Sequence, residues 1–158
     1  MTPFSPLQLR HSCFTRISLN ANPTGTPNGQ ISLDPAIWFQ NNPQNTNEWL
    51  LSLRVIMKST DTQKPFIYEA DVAIQGVVEV QEGFPTEKRE QLAVVNGLSL
   101  LYSAAREVLL MMTARSVHGP MCLPTLSFID VVANKIAQDK ANANAPVSPE
   151  PSVASGQK

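Results

Sequence analysis

Leu98 to Pro120 reads Leu-Ser-Leu-Leu-Tyr-Ser-Ala-Ala-Arg-Glu-Val-Leu-Leu-Met-Met-Thr-Ala-Arg-Ser-Val-His-Gly-Pro. Leu98, Leu101, Tyr102, Ala105, Val108, Leu109 and Met112 recur at steps of three and four, the spacing of one helical face. Ser99, Ser103, Arg106 and Thr113 make the opposite stripe. Leu100, Tyr102, Leu110 and Met111 carry the apolar surface further round, so this helix is buried on more than one side. In a domain this small, the second side belongs to another subunit. Gly119-Pro120 stops the helix, with Arg115 at the end where a cation suits the helix dipole.

Upstream of this helix the period changes to two. Leu7 to Leu19 alternates as a first strand, and Asn20 to Gly29 is a loop of Asn, Pro, Thr and Gly. Ile31 to Phe39 is apolar but interrupted by Asp34-Pro35, and reads as an edge strand or a crossing loop. Gln40 to Asn47 is a loop around Pro43. Trp49 to Lys58 is a strand with Leu51, Leu53, Val55 and Met57 on one face. After a polar turn at Ser59 to Lys64, Phe66 to Val80 is a longer strand with a bulge expected at Gly76. Strand, turn, strand reads as an antiparallel meander. Thr86 to Val95 reads as a short helix, cut off from the long one by Asn96-Gly97.

Downstream, Met121 to Ser127 is an extended linker carrying Pro124, and Phe128 to Lys140 a second helix with Ile129, Val132, Ala133 and Ile136 on one face. From Ala141 on, Asn, Ala, Pro, Ser and Gly dominate. The expected organisation is therefore one α+β domain at 1–140 and a disordered C-terminal tail at 141–158. The domain is an antiparallel four-stranded sheet, then a long helix, a Pro-containing linker and a shorter helix.

Composition narrows the function. The chain has 158 residues, 42% hydrophobic and only 16% charged, with formal net charge -1. A charged fraction well under the usual ~25% suits a protein that buries surface against copies of itself or apolar ligands. No basic stripe points to nucleic acid, and no apolar run reaches the ~20 residues of a membrane span. The first eight residues lack the basic start and apolar stretch of a secretory signal. Cys13 and Cys122 are far apart and read as two half-buried thiols in a reducing cytoplasm. His11 and His118 are the only histidines. His118 with Cys122 suggests a Cys–His pair, yet no acid orients it. No catalytic residue, metal site or cofactor is therefore expected.

Four short motifs carry a family likeness. Leu101-Tyr102-Ser103-Ala104-Ala105-Arg106-Glu107 is similar to a Leu-aromatic-Pro-aromatic-Ala-Arg-Glu signature, and Leu123-Pro124-Thr125-Leu126-Ser127-Phe128 to a Leu-x-Pro-x-Asn-Phe linker. Ile17-Ser18-Leu19-Asn20-Ala21 is similar to Ile-Ser-Phe-Glu-Ala, and Phe66-Ile67-Tyr68-Glu69 to Phe-Leu-Cys-Glu. Arg115 stands at the matching spacing before the linker. In this order, across Leu7 to Ile136, the motifs resemble the SecB export chaperone family.

The resemblance implies an ATP-independent cytoplasmic holdase for unfolded or nascent chains, assembled as a homotetramer. It implies that a Trp in the crossing segment lines a client groove; with the low charge density, the aromatics there and the methionines near the linker, the expected groove is Ile37, Trp38, Phe39, Leu101, Tyr102, Met112, Met121, Leu123 and Phe128. It implies an oligomer interface at Tyr68, Ala70 and Val72, and partner docking at Ile67 and Glu69. The family docks the motor ATPase SecA through acids at the first strand's end. Here those positions are Arg16 and Asn20, so SecA binding is expected to be weak or absent. A dedicated chaperone or adaptor for one client, such as an antitoxin, is the alternative to an export chaperone.

Overall fold

The computed structural model describes residues 4–143. Strands β1 (Leu7–Ala21), β2 (Ile31–Asn42), β3 (Asn45–Ser59) and β4 (Tyr68–Val80) form one antiparallel sheet in the order β1-β4-β3-β2. Helix α1 (Thr86–Gln91), a π-helical turn at Leu92–Asn96 and helix α2 (Gly97–Thr113) follow, then α3 (Phe128–Ala143). From position 144 on, the expected tail lies outside the described residues. β2, β3 and β4 form the expected meander, and β1 closes the far edge against β4.

The stretch with two readings is settled as an edge strand. Ile31, Leu33, Pro35, Ile37 and Phe39 alternate on the inner face of β2 straight through the proline. Thr60 N donates to Gln30 O at 3.0 Å, which puts that pair at a hydrogen-bonded position of the ladder. Counting in twos, Ser32, Asp34, Ala36, Trp38 and Gln40 bond to β3, and Pro35 turns its nitrogen to the free edge, where no donor is needed.

Because β1 and β2 lie at opposite edges, residues 22–30 must cross the end of the sheet. Asn22 N donates to Ile67 O and Thr26 N to Pro65 O, both at 2.8 Å. A Cβ at Gly25 would lie 2.6 Å from the Ile67 backbone, so only glycine permits this close crossing.

The inner face of the sheet is the core. Leu51, Leu53, Val55 and Met57 of β3 and Tyr68, Val72, Ile74 and Val78 of β4 are buried beneath Leu98, Leu101, Ala105 and Leu109 of α2. Asn96-Gly97 does not interrupt the helical run, contrary to the sequence expectation. Gly97 is buried where a Cβ would overlap Leu51 and lie 3.3 Å from Val78. Its missing side chain lets the helix settle onto the sheet, and the π turn lets the consecutive Ala93 and Val94 both be buried. The uninterrupted run Thr86–Thr113 spans 28 residues and is, by length and composition alone, apolar enough to cross a membrane. Here one face of it covers the sheet.

α2 ends at Thr113, short of the expected Val117. Thr113 Oγ1 donates to Leu109 O at 2.7 Å and accepts from Met121 N at 2.8 Å, folding the chain back. Tyr68 Oη donates to Gly119 O at 2.7 Å, and Tyr102 Oη to Pro124 O at 2.5 Å. Three buried hydroxyls thus pin a linker that has no regular structure, and Gly119 turns it at a φ of 77°.

Candidate functional site

The residues expected to line a groove divide among three places. Leu101, Tyr102, Met121, Leu123 and Phe128 are buried in the core. Tyr102 meets the Phe128 ring edge-on, with centroids 5.7 Å apart, which seats the first turn of α3. These side chains build the support of the site and not its surface. Ile37 and Phe39 are half-buried against the core, while Trp38, on the outer face, is 45% exposed. Met112 is exposed on α2. Alternation along β2 therefore separates Trp38 from its two neighbours.

The expected interface residues also move inward. Tyr68, Ala70 and Val72 lie on the inner face, buried within the one chain. Tyr68 is held edge-on by His118, whose Nε2 is 2.7 Å from Asn22 O. Ile67 is buried too, so it offers no docking surface. Glu69 faces outward and accepts from Ser59 N at 3.4 Å. Cys13 and Cys122 are both exposed free thiols, not half-buried ones. Arg106 Nη2 lies 3.2 Å from Cys122 Sγ.

The structure opens a cleft of about 470 Å³ between β2 and α3, lined by Asp34, Pro35, Ala36 and Ile37 on one side and Val131, Asn134, Lys135 and Gln138 on the other. Its lining mixes apolar Pro35, Ala36, Ile37 and Val131 with polar Asp34, Asn134, Lys135 and Gln138. Along it, Leu33, Ile37 and Phe39 turn backbone N–H and C=O groups to the free edge, and Pro35 only its C=O. The cleft thus combines unspent backbone pairing with apolar side chains. Only Ile37 of the sequence-derived groove set reaches it. The α3 wall was missed because its stripe at Val131, Lys135 and Gln138 reads as an ordinary polar helix face.

A second exposed surface is apolar. Leu9, Phe14 and Ile17 emerge on the inner face of edge strand β1, each at least 37% exposed. Leu100, Met111 and Met112 are exposed along α2, with Ala104 and Val108 between them half-buried. From Leu100 to Met112 the helix therefore keeps an apolar flank that no other element among the described residues covers.

No family model matches the sequence, and no curated protein matches it. Among solved structures, the chain is similar to the SecB-like chaperone Rv1957 of Mycobacterium tuberculosis, described in complex with a ChAD peptide from the Rv1956 HigA1 antitoxin. Identity is 19% and the TM-score 0.55, over 77% of this chain and 91% of that one. The fold is SecB-like. A protein of unknown function from Streptococcus agalactiae also aligns, at 11% identity and a TM-score of 0.44, over 75% of this chain and 97% of that one.

Within the SecB-like fold, the outer sheet face carries the departures seen in the sequence. Arg16 stands beside Asp71 at 2.6 Å. Arg54 makes a two-pronged contact to the same carboxylate, at 2.9 and 2.8 Å. The hydrogen-bonded Arg54 guanidinium holds the Asp71 carboxyl below the ordinary carboxylate range; partial burial works against it and Arg16 adds to it.

Proposed function

We propose that this chain is a non-enzymatic, ATP-independent cytoplasmic chaperone. It holds segments of unfolded or nascent polypeptide in the cleft between β2 and α3. The observation that carries this reading is the free edge of β2 beside an open cleft lined in part by Pro35, Ala36, Ile37 and Val131. An extended client segment can add itself to that edge through main-chain hydrogen bonds, which are indifferent to sequence, while alternate side chains enter the cleft. Affinity from backbone pairing and selectivity from side-chain burial suit a protein that meets many clients.

The chain works as a homo-oligomer, a tetramer by the family resemblance. The exposed flank of α2 and the apolar inner side of β1 support this, because an uncovered apolar surface of that length is a liability in a monomer. These residues take the interface role in place of Tyr68, Ala70 and Val72.

A dedicated client is the second reading. The SecB-like chaperone to which the chain is similar holds a peptide from an antitoxin. Arg16 and Asn20 on the outer face disfavour the acid-dependent docking of SecA, so coupling to export is weak or absent.

The test is suppression of aggregation of a denatured model protein without ATP, by the wild type and by Asn134→Trp. Asn134 is exposed on the cleft wall, so an indole there fills the cleft without disturbing the core. The wild type suppresses aggregation and the filled variant does not. Equal suppression by both removes the cleft from the account.

A further inference from the structure

The outer face of the sheet is covered by nothing in the described chain, because α2, the linker and α3 all lie on the inner side. Strand register arranges it in rows. Cys13, Gln75, Ser52 and Trp38 form one row; Arg16, Ala73, Arg54 and Ala36 form the next; Ser18, Asp71, Ile56 and Asp34 form a third. Two arginines thus flank the small side chain of Ala73, and both reach down to the single carboxylate of Asp71. The trio keeps one positive charge in excess. Both guanidiniums remain roughly half exposed, at 57% and 48% of their side-chain surface.

The neighbouring acids are otherwise engaged or distant. Glu69 accepts from Ser59 N and lines one surface hollow with Lys58, Arg16 and Arg54. Glu79 pairs with Arg10 near the hairpin end, and Glu48 beside it is bonded by Asn42 Nδ2 at 2.9 Å. Asp34 lies at the β2 edge and belongs to the cleft. On the hairpin side of the arginines stand Trp38 and Leu50, 45% and 41% exposed and diagonal to each other across β2 and β3. The face therefore presents a flat apolar anchor next to paired arginines with unused N–H groups. Both are features of a specific protein contact and not of a merely solvated sheet.

We infer that this outer face docks an acidic segment of a partner protein, with an apolar residue on Trp38 and Leu50 and a carboxylate above Ala73 between Arg16 and Arg54. The surface is separate from the client cleft and goes beyond the holding activity. It gives the chaperone a handle by which a partner can be recruited while the cleft is occupied. Charge complementarity selects the occupant. A basic segment would meet two guanidiniums, whereas an acidic one completes the coordination that Asp71 alone leaves unfinished.

The experiment is a fluorescence titration of the full-length protein with a labelled peptide of Leu and Glu residues and with its Leu–Lys counterpart, at low and high salt. The acidic peptide binds, more weakly at high salt, and the basic one does not. Arg16→Gln weakens binding by about tenfold, the scale of one charged contact. This variant leaves the two-pronged Arg54–Asp71 contact intact, so its fold stands. Trp38→Ala weakens binding as well, and suppression of client aggregation is unchanged in both variants. Equal binding of the two peptides, or unaltered binding to Arg16→Gln, overturns the inference. So does a change of oligomeric state in Arg16→Gln by light scattering, because the face would then be a contact between copies of this chain. Loss of client capture with peptide binding intact counts against the cleft and leaves this face standing.

Discussion

Ile37 and Trp38 are consecutive in the chain and lie on opposite faces of the sheet, one lining the cleft between β2 and α3 and one on the outer face, which no other described element covers. A single strand thereby supplies both surfaces. Substitutions one residue apart should separate two activities. Trp38→Ala is expected to leave the melting temperature and client capture unchanged, because the side chain is neither core nor cleft wall. A drop in client affinity comparable to that of the cleft-filling Asn134→Trp would place Trp38 in the groove after all.

Met111 is the most exposed side chain on the apolar flank of α2, at 62%. Met111→Glu puts a carboxylate where the proposed assembly buries the helix, and an unpaired charge there is strongly unfavourable. Light scattering at micromolar concentration should report a smaller species than wild type, with helix content intact. An unchanged mass would remove α2 from the interface.

Gly97→Ala should destabilise the fold by about 1 kcal/mol. In an exposed helix the same change gains up to about 1 kcal/mol, so the sign is the informative quantity. The added methyl must displace Leu51, which is fully buried, and such overpacking costs about 1–3 kcal/mol. Urea melts of the two proteins decide it; a stabilised variant would mean that the helix lifts off the sheet at no cost.

Two shifted groups make stability depend on pH, one at each end of the range. Burial pushes the Tyr102 phenol above its ordinary value; Arg106 opposes this and Cys122 adds to it. Folding keeps the phenol neutral, so its contribution is complete below about pH 10 and is lost as pH rises from there towards the folded value. Asp71 is depressed, so its contribution is present above about pH 4 and is lost as pH falls through its lowered folded value. Tyr102→Phe should extend stability at the alkaline end, and Asp71→Asn should flatten the acid limb. Stability profiles parallel to wild type at both ends would contradict these assignments.

The long helix, the alternation of β3 and β4 and the order of elements were legible because each repeats a burial period over many residues. Gly97 was misleading because it looks like a helix breaker, and only the sheet beneath it shows why a missing Cβ is required. Pro35 masked a strand whose inner residues alternate regularly from Ile31 to Phe39. The proline is tolerated because its nitrogen faces the free edge, which single-strand patterning does not reveal. Tyr68, Ala70 and Val72 were correctly grouped on one face, but the face covered by α2 and the face left bare follow from the packing and not from the period. The cleft escaped notice because it lies between elements separated by about a hundred residues, and its α3 wall is polar.

The most direct test is backbone amide hydrogen exchange, read by NMR, with and without an unfolded client. In the free protein, the N–H groups of Ser32, Asp34, Ala36 and Trp38 bond to β3, whereas those of Leu33, Ile37 and Phe39 face the free edge. Client binding at this edge should slow exchange at Leu33, Ile37 and Phe39 and leave the already bonded set unchanged, an alternating pattern along β2. If a saturating client leaves all the β2 amides exchanging as before, the cleft between β2 and α3 does not hold the client.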